Sequence, residues 1–257
     1  MLAALIAISC SASPSAPGYK VYVSNERDNT GTVLDSGTLT VLKTINVAVR
    51  PRGITVTKDS RHVLVCTSDG DLIQMIDTAS DQVVDTLPSN PDPELFVSAP
   101  SGSPLHIANE DDNLVTVVDV VKKKIISDIP VGVEPEGIGI SPEAKGLVNM
   151  AETTSMAHFI DTASFEIAGN VLVDSHPRFA EFTADSSQVW VSSEVGGTVS
   201  IIDTNTQQII GKVSFAIPNV NQRNDPARGD SHHQGSEARV RGTRSGQQDH
   251  RHQRPDL

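Results

Sequence analysis

The sequence comprises 257 residues and carries a formal net charge of −12. This length suits one large domain or two small ones. The excess of carboxylates would repel a phosphate backbone, so we expect no binding to nucleic acid. Short clusters of Val, Ile, Thr, Ser, Asp and Gly favour many brief strands joined by tight turns over long helices.

The N-terminus has the pattern of a secretory signal. Residues 1–8 are almost wholly apolar and small polar residues follow them, which is the order of a signal's apolar region and cleavage zone. We predict a signal peptide over residues 1–16, cleaved after Ala12, and therefore a periplasmic or secreted protein. The alternative is a disordered or strand-forming N-terminus. Cleavage would leave Cys66 as the last thiol, so no intramolecular disulfide is expected.

A 42-residue period runs through the chain. An aspartate ends an apolar run once per period, and a proline and a β-rich segment also recur at intervals of 42 residues. A fixed period of this size is typical of repeat architectures. The aspartates are Asp35, Asp77, Asp119, Asp161 and Asp203, and the prolines are Pro51, Pro93, Pro135 and Pro177.

Each period divides into four strand-length pieces. In the second repeat these are residues 53–57, 62–68, 72–78 and 83–87, separated by turn-forming residues. Four strands in 42 residues predict an all-β fold of four-stranded antiparallel propeller blades. Helical solenoids, β-helices and β-sandwiches fit this period worse. The predicted propeller covers residues 17–217, with blade units near residues 19–48, 51–90, 93–132, 135–174 and 177–216.

Several short motifs indicate a family. Tyr-Val-Ser-Asn at 22–25 resembles the second strand of the YVTN-type β-propeller repeat, and Pro-Arg-Gly-Ile at 51–54 and Pro-Glu-Gly-Ile at 135–138 resemble its innermost strand. Ser-Pro-Glu at 141–143 resembles its turn. Residues 19–217 are most similar to propeller proteins associated with pyrroloquinoline quinone (PQQ)-dependent alcohol catabolism. This resemblance implies an exported accessory protein with a seven-bladed ring.

The strand count predicts an incomplete ring. The first repeat begins near Tyr19 at its second strand, so five blades of the expected seven are visible. Residues 218–257 contain seven Arg, no Lys and few apolar residues, which indicates a disordered non-family tail of a truncated or frameshifted member. Open blade edges offer strand-pairing templates, so self-association is expected.

Charged residues recur in the loops that should share one face of the propeller. The loops between blades and the loops joining the second and third strands of each blade emerge on the same side in an antiparallel blade. We call their charged residues the rim and predict a binding site for a protein partner or a small polar ligand there. The alternative is a set of solvated loop charges. The rim comprises Arg50, Asp92, Glu134, His176, Arg52, Glu94, Glu136, Arg178, Glu26, Glu110, Glu152 and Glu194.

The sequence gives weaker indications of a metal site or of catalysis than of a binding rim. Glu110, Asp111 and Asp112 form a run of oxygen donors suited to a hard cation, although the spacing matches no EF-hand loop and a solvated turn is the alternative. We predict no cofactor and no catalytic residue, because nucleophile, zinc and phosphate-binding motifs are not found. We expect a binding or scaffold protein accessory to PQQ-dependent alcohol oxidation. The alternatives are a lactonase-like hydrolase using Glu181 beside Arg178, and a haem-binding propeller with His176 as ligand.

Overall fold

Residues 18–215 are described by a computed structural model, and within them the chain forms nineteen β-strands in five antiparallel sheets. Blade 1 contains β1 (Lys20–Asn25), β2 (Thr30–Asp35) and β3 (Val41–Asn46). Blade 2 contains β4 (Pro51–Val56), β5 (His62–Thr67), β6 (Leu72–Asp77) and β7 (Gln82–Pro88), and blade 3 contains β8 (Pro93–Ser98), β9 (Leu105–Asn109), β10 (Leu114–Asp119) and β11 (Lys124–Pro130). Blade 4 contains β12 (Pro135–Ile140), β13 (Gly146–Ala151), β14 (Met156–Asp161) and β15 (Ile167–Leu172), and blade 5 contains β16 (Pro177–Phe182), β17 (Gln188–Ser193), β18 (Thr198–Asp203) and β19 (Gln208–Ser214).

Successive blades are held together by apolar side chains on both faces of the sheets. Because side chains alternate across a strand, one set faces the preceding blade and the other faces the next. Every residue of β9 in the third blade is buried, whereas β17 in the last blade alternates, with Val189 and Val191 buried and Trp190 exposed. Four apolar clusters result, one for each pair of consecutive blades.

The repeated aspartates form the turn between the third and fourth strands of each blade. The Oδ1 atom of Asp35 accepts hydrogen bonds from the backbone N–H groups of Gly37 and Thr38, at 3.0 and 2.7 Å. Asp77, Asp119, Asp161 and Asp203 accept equivalent backbone bonds in the other blades. This side chain satisfies turn N–H groups that would otherwise lack protein partners, which explains its strict spacing.

His158 supports the loop between blades 3 and 4. Its Nε2 accepts a hydrogen bond from the Gly132 N–H at 2.9 Å, and its Nδ1 lies 2.6 Å from Asn170 Oδ1. Gln74 occupies the equivalent position in blade 2, where its Oε1 accepts from the Ala48 N–H at 2.8 Å. His158 is therefore a packed strand residue, and its hydrogen bonds support the loop between the blades.

The five sheets follow one another as propeller blades, so the predicted fold class is confirmed. The innermost strands β4, β8, β12 and β16 contact one another in sequence, and β1 contacts β4. Blade 1 has three strands and the ring is open among residues 18–215. The predicted signal peptide and C-terminal tail lie outside the described residues. Within the described part, no helix has the length and apolarity needed to cross a bilayer.

His106 is an unfavourable residue in the core between blades. It is the second residue of β9, is 2% exposed, and neither ring nitrogen has a hydrogen-bond partner. Burial lowers the pKa of His106 to about 4. The equivalent positions of the other repeats hold Tyr22, Leu64, Val148 and Trp190. An apolar side chain would therefore suit this site better than an imidazole does.

Replacing His106 with leucine (His106→Leu) should stabilise the protein by about 1–3 kcal/mol at pH 7, because it removes unpaired buried polar atoms. The substitution should also reduce acid sensitivity. The unfolded chain binds a proton near pH 6.5 and the folded chain does so only near pH 4, so wild-type stability falls as pH decreases through this window. Urea unfolding at pH 4.5 and 7 checks both effects, and an equal loss of stability in both proteins would contradict the second.

Candidate functional site

The rim is built on an unusual backbone conformation that repeats in every inter-blade loop. The residue just before each innermost strand has a positive φ between 50° and 57°, although none of the four is glycine. This left-handed conformation is disfavoured for residues with a side chain, and its recurrence in register shows that the loop geometry imposes it. These residues are Arg50, Asp92, Glu134 and His176.

Backbone hydrogen bonds join the two sets of loops that form the rim. The carbonyl groups of Asp92, Glu134 and His176 accept from the N–H groups of Glu110, Glu152 and Glu194, at 3.0, 2.8 and 2.8 Å. On the other side, the side-chain Oδ1 of Asn29, Asp71 or Asn113 accepts from the N–H of Arg50, Asp92 or Glu134. The loops therefore lie on one face of the propeller, as predicted, and their backbone is fixed.

Arg50 is the centre of the first ion-pair cluster. Its Nε lies 3.3 Å from Glu26 Oε1, and its Nη1 lies 3.1 Å from Asp92 and 3.6 Å from Asp69. Its Nη2 lies 3.1 Å from Glu94 Oε1. Burial alone would lower the pKa of Arg50, but the carboxylates of Glu94 and Asp92 outweigh it and raise that pKa. Arg50 therefore stays charged and fixes four carboxylates.

Arg52, on the innermost strand of blade 2, contacts residues of blades 1, 3 and 4. Its Nη2 lies 2.5 Å from Glu94 Oε2 and 3.9 Å from Glu136 Oε1, and its Nη1 lies 3.5 Å from Glu26 Oε1. These residues belong to blades 1 to 4 of the chain. The guanidinium group of Arg52 thus links the ion pairs around Arg50 to those that Glu136 forms with Arg178.

Arg178 is the centre of the second cluster. Its Nη1 contacts Glu136 and lies 3.1 Å from Glu152 Oε2, while its Nε donates to Glu194 Oε2 at 2.7 Å. His176 Nδ1 also contacts Glu152. The structure therefore brings ten of the twelve predicted rim residues into ion pairs. Of the other two, Glu134 accepts a hydrogen bond from Thr153 Oγ1, and the carboxylate of Glu110 lies close to those of Asp92 and Glu94.

Glu94 is the most perturbed residue of the rim. Its side chain is fully buried, and burial raises its pKa to about 7. The arginines at 50 and 52 oppose this shift, while Asp92 and Glu110 add to it. The pKa of Glu110 is raised as well, first by burial and then by Asp92. Ion pairing at 2.5 and 3.1 Å thus fails to offset the desolvation of this carboxyl group.

Three carboxylates of the rim lie close enough together for a cation site, but the arginines beside them disfavour a bound cation. Oxygen atoms of Asp92, Glu94 and Glu110 lie within 4.8 Å of one another. However, Arg50 and Arg52 already approach two of these carboxylates and supply positive charge where an ion would bind. The predicted run from Glu110 to Asp112 is divided, because Asp111 and Asp112 are exposed in the turn between β9 and β10.

The other predicted chemical groups are not assembled. Arg178 pairs with carboxylates of neighbouring loops, whereas Glu181 is exposed on β16 and forms no ion pair with it in residues 18–215. The suggested pairing of Glu181 with Arg178 is therefore wrong, because the strand alternation and the neighbouring loops direct Arg178 elsewhere. His176, the suggested haem ligand, is engaged by Glu152.

Sequence reasoning missed Asp69, which joins the first cluster from the short 3-10 turn Ser68–Gly70. In the second repeat, Ser68 replaces the glutamate found at this position in the others, and the acidic group follows one residue later. That neighbouring aspartate was the available signal. Cys66, which the sequence analysis identifies as the last thiol, is buried and free. Its Sγ donates to the Glu94 carbonyl at 2.7 Å, and burial raises its pKa to about 12.

The fold is similar to that of a solved β-propeller protein. One such match is with hydrazine synthase from Kuenenia stuttgartiensis, with a TM-score of 0.66 and 24% sequence identity over 72% of this chain and 60% of that chain. This chain therefore spans about 60% of the length of its structural neighbour. At this identity the likeness concerns the fold. No protein-family model and no curated protein sequence matches the chain.

The buried carboxyl group gives the rim a pH dependence. The folded-state pKa of Glu94, about 7, exceeds the ordinary value of 4.5, so the contribution of this group to stability is present at low pH and is lost as pH rises through 7. Glu94→Gln removes this titration. The stability of the wild type relative to this variant should fall by on the order of 2 kcal/mol between pH 4.5 and 8.

The measurement is denaturant unfolding of both proteins across this pH range. Glu194→Gln is the matched control, because it makes the same change in the rim at a side chain that is 62% exposed. Parallel pH profiles for the wild type and Glu94→Gln would contradict the assignment of Glu94 as the perturbed group.

Proposed function

We propose that this protein is a non-catalytic binding propeller that uses its rim to bind a partner protein. The observation that carries the proposal is the rim itself: twelve charged side chains at three repeated positions, held on one face by backbone hydrogen bonds and ion pairs. Such preorganised side chains lose little conformational entropy on binding. Loops on a rigid scaffold are also common binding elements.

The charge of the rim favours a basic partner surface. Together with Asp69, the rim contains nine carboxyl groups, of which Glu94 is buried, against the three guanidinium groups of Arg50, Arg52 and Arg178. Several carboxylates remain accessible, since the side chains of Glu26 and Glu194 are 48% and 62% exposed. Complementary charge increases association rates and selects partners more than it increases affinity. A small polar ligand with a positive charge would bind the same carboxylates, at the mouth of the channel that the innermost strands surround.

We further propose that the binding takes place outside the cytoplasm, in the context of PQQ-dependent alcohol oxidation. The support is the sequence resemblance of residues 19–217 to YVTN-type propellers associated with that catabolism, together with the apolar residues 1–8. The partner would then be an exported component of that oxidation, and the propeller would act as its accessory or scaffold.

The binding proposal predicts that rim charge reversals weaken partner binding. With a purified PQQ-dependent alcohol dehydrogenase as the probe, Glu26→Lys and Glu194→Lys should each reduce affinity by about ten-fold at low salt, and added salt should weaken wild-type binding. Lys124→Glu, an exposed change on the outermost strand β11, is the control and should have no effect. Biolayer interferometry measures these affinities.

Two results of this experiment would count against the proposal in different ways. No wild-type binding would overturn the link to PQQ-dependent oxidation. Binding that is unchanged by both rim substitutions would overturn the rim as the binding surface.

The export proposal predicts a mature protein that begins at Ser13. The full-length chain, expressed in a Gram-negative host, should be found in the periplasmic fraction with residues 1–12 removed, because the apolar segment directs export and small residues precede the cut. Fractionation and intact mass spectrometry provide the measurement. A variant lacking residues 2–8 should remain in the cytoplasm, and an unprocessed wild type there would refute the prediction.

A further inference from the structure

Blade 1 differs from the other blades at its inner edge. In blades 2 to 5 the second strand pairs with an innermost strand on one side and with the third strand on the other. In blade 1 the equivalent second strand, β1, pairs with β2 on one side, and its other edge is unpaired among the described residues. An unpaired strand edge presents backbone donors and acceptors that can pair with another chain.

A groove lies along this edge. It has a volume of about 680 Å³ and runs between β1 and the face of β4, with Tyr19, Val21, Ile54 and Val56 among its lining residues. We call it the inner groove. Residues of β1 line one side of it and residues of β4 and β5 the other, so an added strand beside β1 would cover this surface.

The exposure of Ile54 differs from that of the equivalent residues in blades 3 to 5, which face a complete preceding blade. Ile54 faces blade 1 and is half-buried, whereas its equivalents Phe96, Ile138 and Ala180 are 8%, 2% and 2% exposed. Those three side chains pack against a preceding blade that has an innermost strand. Val56, at the end of β4, is 55% exposed. The repeat thus specifies the missing neighbour of Ile54 and Val56 as an extended strand.

We propose that the inner groove binds an extended segment of a partner polypeptide, which adds to β1 as an antiparallel innermost strand. The register follows from β4 on β5, where Pro51 lies opposite Thr67, Ile54 opposite Val65 and Val56 opposite Val63. Shifted by one repeat, the first residue of the segment lies opposite Asn25, the fourth opposite Val23 and the sixth opposite Val21. Main-chain pairing supplies affinity and side-chain pockets supply specificity in this mode of binding.

The neighbouring groups define the sequence that fits. At the third position of β4, a Cβ on Gly53 would lie 2.9 Å from the Glu94 carbonyl oxygen and 3.1 Å from Cys66 Sγ. The same place in the inner groove lies beside Ser24, whose Oγ donates to the Arg52 carbonyl at 2.7 Å. Glycine therefore fits at the third position of the segment. An apolar residue at the fourth position would lie opposite Val23, on the face of blade 1 that points away from blade 2.

Charge selects the second position. The second residue of each innermost strand is charged, and two pairs of successive strands carry opposite charges that form ion pairs there, Arg52 with Glu94 and Arg178 with Glu136. The segment's second residue would lie beside Arg52, so an acidic residue is favoured. The expected segment is therefore of the type Pro-Glu-Gly-Ile, followed by alternating apolar residues.

A free segment of another polypeptide fits this groove better than a folded second copy. Every described strand equivalent to the missing one, from β4 to β16, is already paired within its own blade. A second copy would have to lose such a strand from its sheet in order to donate it. An extended partner segment requires no such disruption.

The test uses the full chain and a labelled peptide with the sequence of residues 134–141, Glu-Pro-Glu-Gly-Ile-Gly-Ile-Ser. Fluorescence anisotropy should show saturable one-to-one binding. The same peptide with valine in place of its first glycine should bind about ten-fold more weakly or worse, because the added side chain meets backbone and Ser24.

A protein variant locates the peptide. Val56→Glu places a charge in the inner groove and should reduce affinity for the peptide by about ten-fold or more. Val84→Glu is the matched control, because Val84 is 54% exposed on the outermost strand β7 and lies outside the groove. Thermal unfolding checks that both variants are folded.

Each remaining outcome overturns the proposal. These are the absence of saturable binding, equal affinity for the glycine and valine peptides, and equal affinity in Val56→Glu and Val84→Glu. If the chain's own terminal residues filled the inner groove, the full chain would not bind the peptide, and the proposal of a separate partner segment would fail.

Discussion

The architecture depends on the left-handed residue that joins the outermost strand of one blade to the innermost strand of the next. In three of the four loops the N–H of this residue donates to a polar side chain of the preceding blade, as from Arg50 to Asn29 at 2.9 Å. In all four its carbonyl accepts from the next loop, as from the Ser68 N–H to Arg50 at 2.9 Å. Two hydrogen bonds on opposite sides of one residue fix the turn, and the turn fixes both the start of the innermost strand and the direction of the charged side chain. A left-handed residue other than glycine costs about 1 kcal/mol, which these bonds and the blade packing must offset.

The same constraint explains why the rim is a network and not a set of separate surface charges. Because each loop repeats at a fixed offset, charged side chains from consecutive blades converge on the channel mouth, and a carboxyl group such as Glu94 becomes buried between neighbours. Burial raises its pKa to about 7 even though Arg50 and Arg52 lie within ion-pair distance. A buried ion pair of this kind contributes little net stability, and its main effect is to fix the directions of the charged groups, as the proposed binding role requires.

The fold could be predicted from the sequence because its determinants are local and repeated. An aspartate such as Asp77 closes its own turn through bonds to residues three positions away, and the 42-residue period places every strand. The membership of the rim was also predictable, because strand alternation decides which loops share a face. The burial of Glu94, the isolation of Glu181 and the role of Asp69 were not, since each depends on distances between blades that no spacing along the chain encodes.

The two ends of the blade series differ from its interior by the loss of one neighbour. Val23 of blade 1 is 40% exposed, while the equivalent Val65 of blade 2 is 1% exposed; Trp190 of blade 5 is 42% exposed, while the equivalent Val148 of blade 4 is 0% exposed. The residue types are apolar in both cases, so the repeat supplies a packing surface whether or not a neighbour is present. In repeat proteins such terminal surfaces carry an energetic penalty that interior units avoid. Because blade 1 also lacks an innermost strand in the described chain, its surface combines exposed apolar side chains with an unpaired backbone edge, and this combination favours the addition of a strand over simple face-to-face contact.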